Sequence, residues 1–303
     1  MFKKLLLTFL TLLVPFALAS CEPRYFDDVK VTKIKDIYNM NAKDPVAASG
    51  ILFRAASKAT WYLTDGTSTI KVYDKAGDID HDPELNYDFQ KVLIKGTVSE
   101  FGGVKQIAFQ DIKLNEKSSA KLPAAADISQ LKLFASMEKN KEQVSTEFAQ
   151  FDGKLVKFDA KLLGFKETYV GKVVEQQNGQ DQIIAGKTPD YIEIQLEING
   201  QQTNVRFDVR EPKWAKWFEK NVAAVKALYK DIKFAKNEKK DKKDKKGKIT
   251  KTYLEYKLPE EKLVSVSDVI ASVYKPYDKE NKKYVGTSFA QFDISSKFTI
   301  TYK

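Results

Sequence analysis

Between residues 191 and 209 the chain alternates with a period of two on both sides of one tight turn. YIEIQLEI (191–198) puts Ile192, Ile194, Leu196 and Ile198 on one face and Tyr191, Glu193, Gln195 and Glu197 on the other. Asn199-Gly200 follows, and TNVRFDV (203–209) alternates again. Successive side chains of a strand point to opposite faces, so this pattern buries its apolar set only as β-structure. Asn-Gly is a preferred pair for a two-residue hairpin turn, because both central residues there take positive φ. The chain therefore has to be organised around half-buried sheets.

The same grammar runs upstream. VAASGILFRA (46–55) reads as a strand. ATWYLT (59–64) and STIKVYD (68–74) flank Asp65-Gly66-Thr67, a strong hairpin signal. KVLIKGTVSEFGG (91–103) and VKQIAFQDIKL (104–114) form a second hairpin across Phe101-Gly102-Gly103. Gly50 and Gly96, inside strands, mark bulges or barrel corners. Downstream, KLVKFDAKLLGF (154–165) precedes the alternating hairpin, EPKWAKWFEKNV reads as a helix with Pro212 in its first turn, and 225–235 and 249–258 read as two more strands. Five short strands with a helix between the third and fourth predict a small Greek-key barrel of the oligonucleotide/oligosaccharide-binding (OB) type.

TEFAQFD (146–152) recurs as TSFAQFD (287–293), 141 residues on, with Asp127, Asn140, Lys141 and Val144 matching Asp268, Asn281, Lys282 and Val285. Read as repetition, this makes 127–148 the lead-in to one unit and 263–303 the start of another. The expected fold is mainly β: tandem five-stranded OB-like Greek-key barrels over 45–117 and 118–262, a short helix in the second, and a β-rich C-terminal fragment, a partial third repeat, over 263–303.

The glycine-bearing strand, WYLTDGTSTIKVYD and VLIKGTV together resemble the bacterial OB-fold family that includes anticodon-binding-like, nucleic-acid-binding domains. The family pattern is a hairpin over D-G-T-G followed by a V-x-G-x-V strand; here Ser68 stands where the last glycine would be. The resemblance covers about 45–115, and 150–262 only by order of elements. It implies a ligand-binding barrel with nucleic acid among its ligands.

The first residues give an address. Lys3 and Lys4 precede an apolar run from Leu5 to Ala19, and Ala19 and Ser20 precede Cys21. That is the layout of a secretory signal over 1–20. Leu18-Ala19-Ser20-Cys21 resembles a bacterial lipobox, which implies cleavage before Cys21 and acylation of its sulfur and amine. Cys21 is the only cysteine in the chain, so it has no internal disulfide partner. Residues 21–44 then act as anchor linker and lead-in. The expected location is the bacterial cell envelope, held to a membrane through acylated Cys21, with the outer membrane or cell surface favoured over the inner membrane.

Charge is concentrated. The formal net charge is +10, and the run KNEKKDKKDKKGK (236–248) alone carries +5. With Lys3 and Lys4 removed in the signal, the rest of the mature chain keeps +3. Broad nucleic-acid binders carry a basic stripe over a whole face; this chain carries a basic spot. The run is expected to be a disordered loop between the fourth and fifth strands of the second barrel, a usual ligand-facing position. Lys239, Lys240, Lys242, Lys243, Lys245 and Lys246 are its candidate contacts to a polyanion.

Outward positions supply further candidates. With Trp61, Leu63, Ile70 and Val72 inward, the first unit shows Tyr62, Lys71 and Tyr73 as a small stacking platform. The second unit turns Tyr191, Glu193, Gln195 and Glu197 and then Gln202, Asn204, Arg206 and Asp208 outward; with one aromatic, and two glutamates and one aspartate against one arginine, that face is hostile to phosphate. Two function classes follow. One is a binding module for a polyanion, nucleic acid or anionic glycan. The other is a structural or protein–protein adaptor of the envelope, using barrel faces or the Trp214, Trp217 and Phe218 stripe.

Catalysis is not expected. One histidine, His81, and one cysteine cannot build zinc clusters or Ser-His-Asp and Cys-His sites. DIDHDPE (78–84) lacks EF-hand spacing, and no P-loop or dinucleotide glycine motif occurs. No cofactor and no metal are expected.

Overall fold

A computed structural model describes residues 30–303 apart from 56–59, 81–85, 102–103, 137–142, 171–175, 178–179, 182–188, 209–222, 224–226, 229–235, 244, 248, 275–276, 279–282 and 285–288. The signal, Cys21, the helix expected over 211–222 with Trp214, Trp217 and Phe218, and His81 lie outside the described residues.

The first sheet closes on itself. Strands β1 (Pro45–Arg54), β2 (Thr60–Thr64), β3 (Thr69–Tyr73), β4 (Gln90–Phe101) and β5 (Val104–Leu114) form a barrel in the order β1-β2-β3-β5-β4. β3 and β5 run parallel and the other pairs antiparallel. Trp61, Leu63, Ile70 and Val72 lie in its core, as the alternation predicts. The Asp65 carboxylate fixes the β2–β3 turn by accepting from the N–H groups of Thr67 (2.9 Å) and Ser68 (2.8 Å). At Gly96 the β4–β5 register slips, and a Cβ there would sit 2.2 Å from the Ala108 carbonyl oxygen. A short helix, α1 (Ile34–Ile37), buries Ile34 and Ile37 in the same core.

The second barrel has the same cyclic order with longer strands. Its chain order is β6 (Leu155–Val170), β7 (Tyr191–Ile198), β8 (Gln201–Asp208), β9 (Lys236–Lys243), β10 (Ile249–Tyr274) and β11 (Phe289–Tyr302). The ring runs β6-β7-β8-β11-β10, and β10 returns to pair with β6. β8 and β11 are the parallel pair. The lead-in again ends in a small helix, α2 (Thr146–Ala149), which buries Phe148. Ser145 caps it, its Oγ accepting from the Phe148 N–H at 2.9 Å.

Three expectations are corrected by this topology. First, 263–303 does not open a third unit. It supplies the end of β10 and all of β11, the fourth and fifth strands of the second barrel. The two FAQFD copies are not equivalent: 148–152 form the end of α2 and a turn, while 289–293 begin β11. Second, the lysine run is not a loop between barrel strands four and five. Residues 236–243 form β9, paired along β10 from Lys236↔Lys257 to Lys243↔Ile249, and the turn follows. A long strand with a bare edge recruits whatever segment lies next to it, even one of weak β-propensity. Third, the strand expected over 225–235 is helical at Ala227 and Leu228, and Leu228 packs into the second core.

β6 and β10 outrun the barrel. Past Gly164 they continue as a wing in which Thr168 pairs with Tyr191 on one side and Tyr253 on the other, and Tyr253 pairs with Lys240. Gly164 permits this exit, since a Cβ there would meet the Tyr256 carbonyl oxygen at 2.0 Å. The β6–β7 register shifts at the same place. Between the two barrels lies a third apolar cluster, with Phe53, Ala55 and Tyr62 from the first and Leu155 and Ile270 from the second. Phe53 stacks on Tyr62 (5.7 Å) and on Phe89 (5.8 Å). Lys297 of β11 sits 4.0 Å over the Phe89 ring, and the Ser296 hydroxyl donates to the Asp88 carboxylate.

Candidate functional site

The seam decides the fate of the expected platform on the first barrel. Tyr62 does point away from its own core, but the second unit covers it, leaving it 2% exposed. Gly153 of the connecting turn lies against its ring. Lys71 sits 5.8 Å from the same ring. Opposite Lys71 stand Asp152 and Asp293, whose carboxyls burial raises above the ordinary range while the lysine opposes the rise. Asp152 also accepts from the Val273 N–H at 2.9 Å. Tyr73 alone of the three stays open, at 39% exposure. The trio is therefore not a stacking surface; two of its members hold the barrels together.

The lysine candidates gather on the hairpin beyond the second barrel. Lys240, Lys242, Lys243, Lys245 and Lys246 are exposed; Lys239 pairs with Leu254 through the backbone, and its side chain lies outside the described residues. Their order is that of an edge strand. Lysines along a bare sheet edge block pairing with other chains. Lys240 also meets Glu255 across the ladder at 2.8 Å.

The most built surface is the outer face of β6, β7 and β8, continued by β10. The barrel's inward alternation leaves Lys166 on β6, Glu193 and Gln195 on β7, and Gln202 and Asn204 on β8 facing out, in register across the sheet. Glu255 and Lys257 of β10 extend the same rows. These groups line a groove of about 600 Å³, with Leu163 and Leu258 as its apolar patches. Of its charges, Lys166 lies 3.0 Å from Glu193 and Glu255 lies 2.8 Å from Lys240, while Lys257 is exposed. Tyr191 and Tyr253 flank Thr168, and each ring carries a cation of the protein, Arg206 at 4.2 Å and Lys166 at 4.9 Å. The Asn204 Oδ1 is buried and accepts no hydrogen bond among the described residues.

The opposite side of the wing is structural. Tyr169 and Tyr256 both donate to the Glu167 carboxylate, at 2.9 and 3.1 Å. Burial first, and that carboxylate second, push both phenols far above their ordinary value. Among the described residues no group of histidine, cysteine, aspartate and glutamate is placed to hold a metal ion.

Sequence reasoning named Tyr191, Glu193, Gln195, Gln202 and Asn204 as one face, but not Lys166, Tyr253, Glu255 and Lys257. The signal for three of these was present, since KTYLEYK (251–257) alternates and places Lys251, Tyr253, Glu255 and Lys257 together. It was unusable without knowing that β10 pairs with β6.

No family model and no curated protein matches the chain. Solved structures give faint similarities. The hypothetical protein ygiW from E. coli is 17% identical over 28% of this chain and 90% of its own, with a TM-score of 0.26. A replication protein A heterotrimer bound to ssDNA is 11% identical over 90% of this chain and 69% of its own, at 0.24. The p202 HIN1 domain in complex with a 12-mer dsDNA is 10% identical over 86% and 94%, at 0.21. At these scores the overlaps carry no weight, and the barrel assignment rests on strand order and register.

Proposed function

We propose that the chain is a lipid-anchored envelope protein that works by binding, without catalysis, and that its ligand is an extended molecule laid across the outer face of the second barrel. The observation that supports this most is the groove over β6, β7 and β8, because five-stranded barrels of this order take oligomeric ligands on that face. The anchor is supported by the signal layout and the lone Cys21 after Leu18-Ala19-Ser20. Several acyl chains would hold the protein firmly, at about 0.8 kcal/mol per buried methylene.

A second reading is a polyanion held by the hairpin, nucleic acid or anionic glycan. It is favoured by the exposed Lys240, Lys242, Lys243, Lys245 and Lys246. The two readings part on salt. A polyanion bound by n lysine contacts loses affinity along a log–log slope near −0.7n to −0.9n, and the groove reading predicts a nearly flat line. Binding at the groove, lost on Asn204→Ala and kept in a hairpin deletion, supports the first reading. Loss only on deleting 239–246 overturns it in favour of the second. The anchor is tested by labelling with a palmitate analogue: label on the wild type and none on Cys21→Ser supports it, and equal labelling refutes it.

A further inference from the structure

We infer that the groove is a site for an uncharged, hydroxyl-rich chain, an oligosaccharide, and not for a nucleic acid; the inference rests on the groove being the ligand site. Charge points this way first. Lys166 pairs with Glu193 at 3.0 Å and Glu255 with Lys240 at 2.8 Å, which leaves the single exposed Lys257, and not a cationic row, along the groove. Glu193 and Glu255 are 17% and 16% exposed at their side chains, so both carboxylates stand at the wall where a phosphate would have to pass. Like charges brought together in a half-buried cleft repel.

The donor and acceptor set points the same way. Gln195 and Asn204 face each other across β7 and β8, and Gln202 stands one row away. Each amide offers both a donor and an acceptor, which matches a hydroxyl that donates and accepts at once. Asn204 Oδ1 is buried without a partner among the described residues, so turning this amide into the groove toward a donating hydroxyl breaks no hydrogen bond of that oxygen. Leu163 and Leu258 supply apolar contact for the C–H faces of a sugar ring.

Stacking supplies the third line. Base recognition on single strands needs open aromatic faces. Here Tyr191 and Tyr253 each hold a cation over the ring, Arg206 and Lys166, and a base would have to displace it. The cleft of about 600 Å³ falls within the usual size of small-ligand sites and holds a few linked sugar rings.

The test is direct binding to the mature chain carrying Cys21→Ser. The probes are chitohexaose, cellohexaose and maltohexaose as uncharged chains and a short oligothymidylate as the polyanion, each between about 0.05 and 0.5 M salt. The expected result is a Kd below about 1 mM for at least one sugar, constant across the salt range. Gln202→Ala, at an exposed position that folding does not depend on, and Gln195→Ala should each weaken it roughly three- to tenfold. Lys242→Gln with Lys245→Gln and Lys246→Gln should leave it unchanged. If no sugar binds, the inference is overturned. In that event, oligothymidylate binding weakened by Gln202→Ala would keep the groove as a site for another class of ligand. No groove-dependent binding of any probe would overturn the site as well.

Discussion

Replacing Phe292 by alanine tests whether the C-terminal segment closes the second barrel. Phe292 lies in β11 and is fully buried, 0% exposed. Its ring meets Phe148 of α2 edge-on at 5.6 Å and Phe158 of β6 at 4.7 Å. It therefore joins the last strand, the first strand and the lead-in helix of one core. Deleting a buried phenylalanine costs about 3–5 kcal/mol, through lost transfer energy and the cavity left behind. Each aromatic pair accounts for about 0.5–1.5 kcal/mol beyond area. The assay is equilibrium urea unfolding followed by far-UV circular dichroism. With a slope of about 1–3 kcal/mol per molar urea, the midpoint should fall by at least about 1 M. Phe292→Leu, which keeps most of the volume, should cost under about 1.5 kcal/mol. A Phe292→Ala protein within about 1 kcal/mol of wild type would refute the reasoning, because only a dispensable appendage could lose this side chain so cheaply.

Gly164→Ala should lower stability by about 1–3 kcal/mol and shift the melting temperature down, since its Cβ would meet the Tyr256 carbonyl oxygen at 2.0 Å; an unchanged melt would show that the wing does not depend on this approach. Burial, ahead of every neighbour, lifts the Asp293 carboxyl to about 6, and lifts Asp88 and Asp152 as well. The folded state then holds protons that the unfolded state has released between about pH 4 and 6, so stability should fall as pH rises through that window, by up to about 3 kcal/mol for Asp293. Asp127 and Asp159 are shifted the other way and act below the window. Melting temperatures of wild type and Asp293→Asn across the window check this: a flatter profile in the variant is expected, and a wild type that gains stability toward neutral pH contradicts it. Lys240→Val with Lys242→Val should expose β9 as a pairing edge and produce aggregates by light scattering, whereas a monodisperse variant would deny the lysines that protective role.

Local pattern was enough for much of the scaffold. The β7–β8 hairpin runs as its alternation and Asn199-Gly200 require, and the Gly96 bulge falls where a glycine interrupts a strand. What failed depended on distant partners. FAQFD carries Phe148 and Phe151 at helical spacing in one copy and Ala290 and Phe292 at strand spacing in the other, so the pentapeptide itself is undecided. Ser145 supplies a capping hydroxyl to the first copy, whereas Gly286 stands at that position before the second. The lysine run has the composition of a solvated loop, and only the bare edge of β10 makes it a strand. Tyr62 was legible as outward-facing, but its cover comes from Leu155 and Ile270, which no periodicity links to it. The groove was half legible for the same reason. Its β7 and β8 residues share one hairpin, and Lys166 of β6 pairs with Glu193 of β7, but its β10 residues join only through the Glu255↔Lys166 pairing, across more than eighty residues.

The most direct test of the central claim is a backbone-amide shift map of the isotopically labelled mature chain titrated with the best-binding hexasaccharide. The groove predicts shifts that cluster on Gly164, Gln195, Asn204 and Glu255. Shifts confined to the first barrel around Tyr73, or to the lysine hairpin, would contradict it.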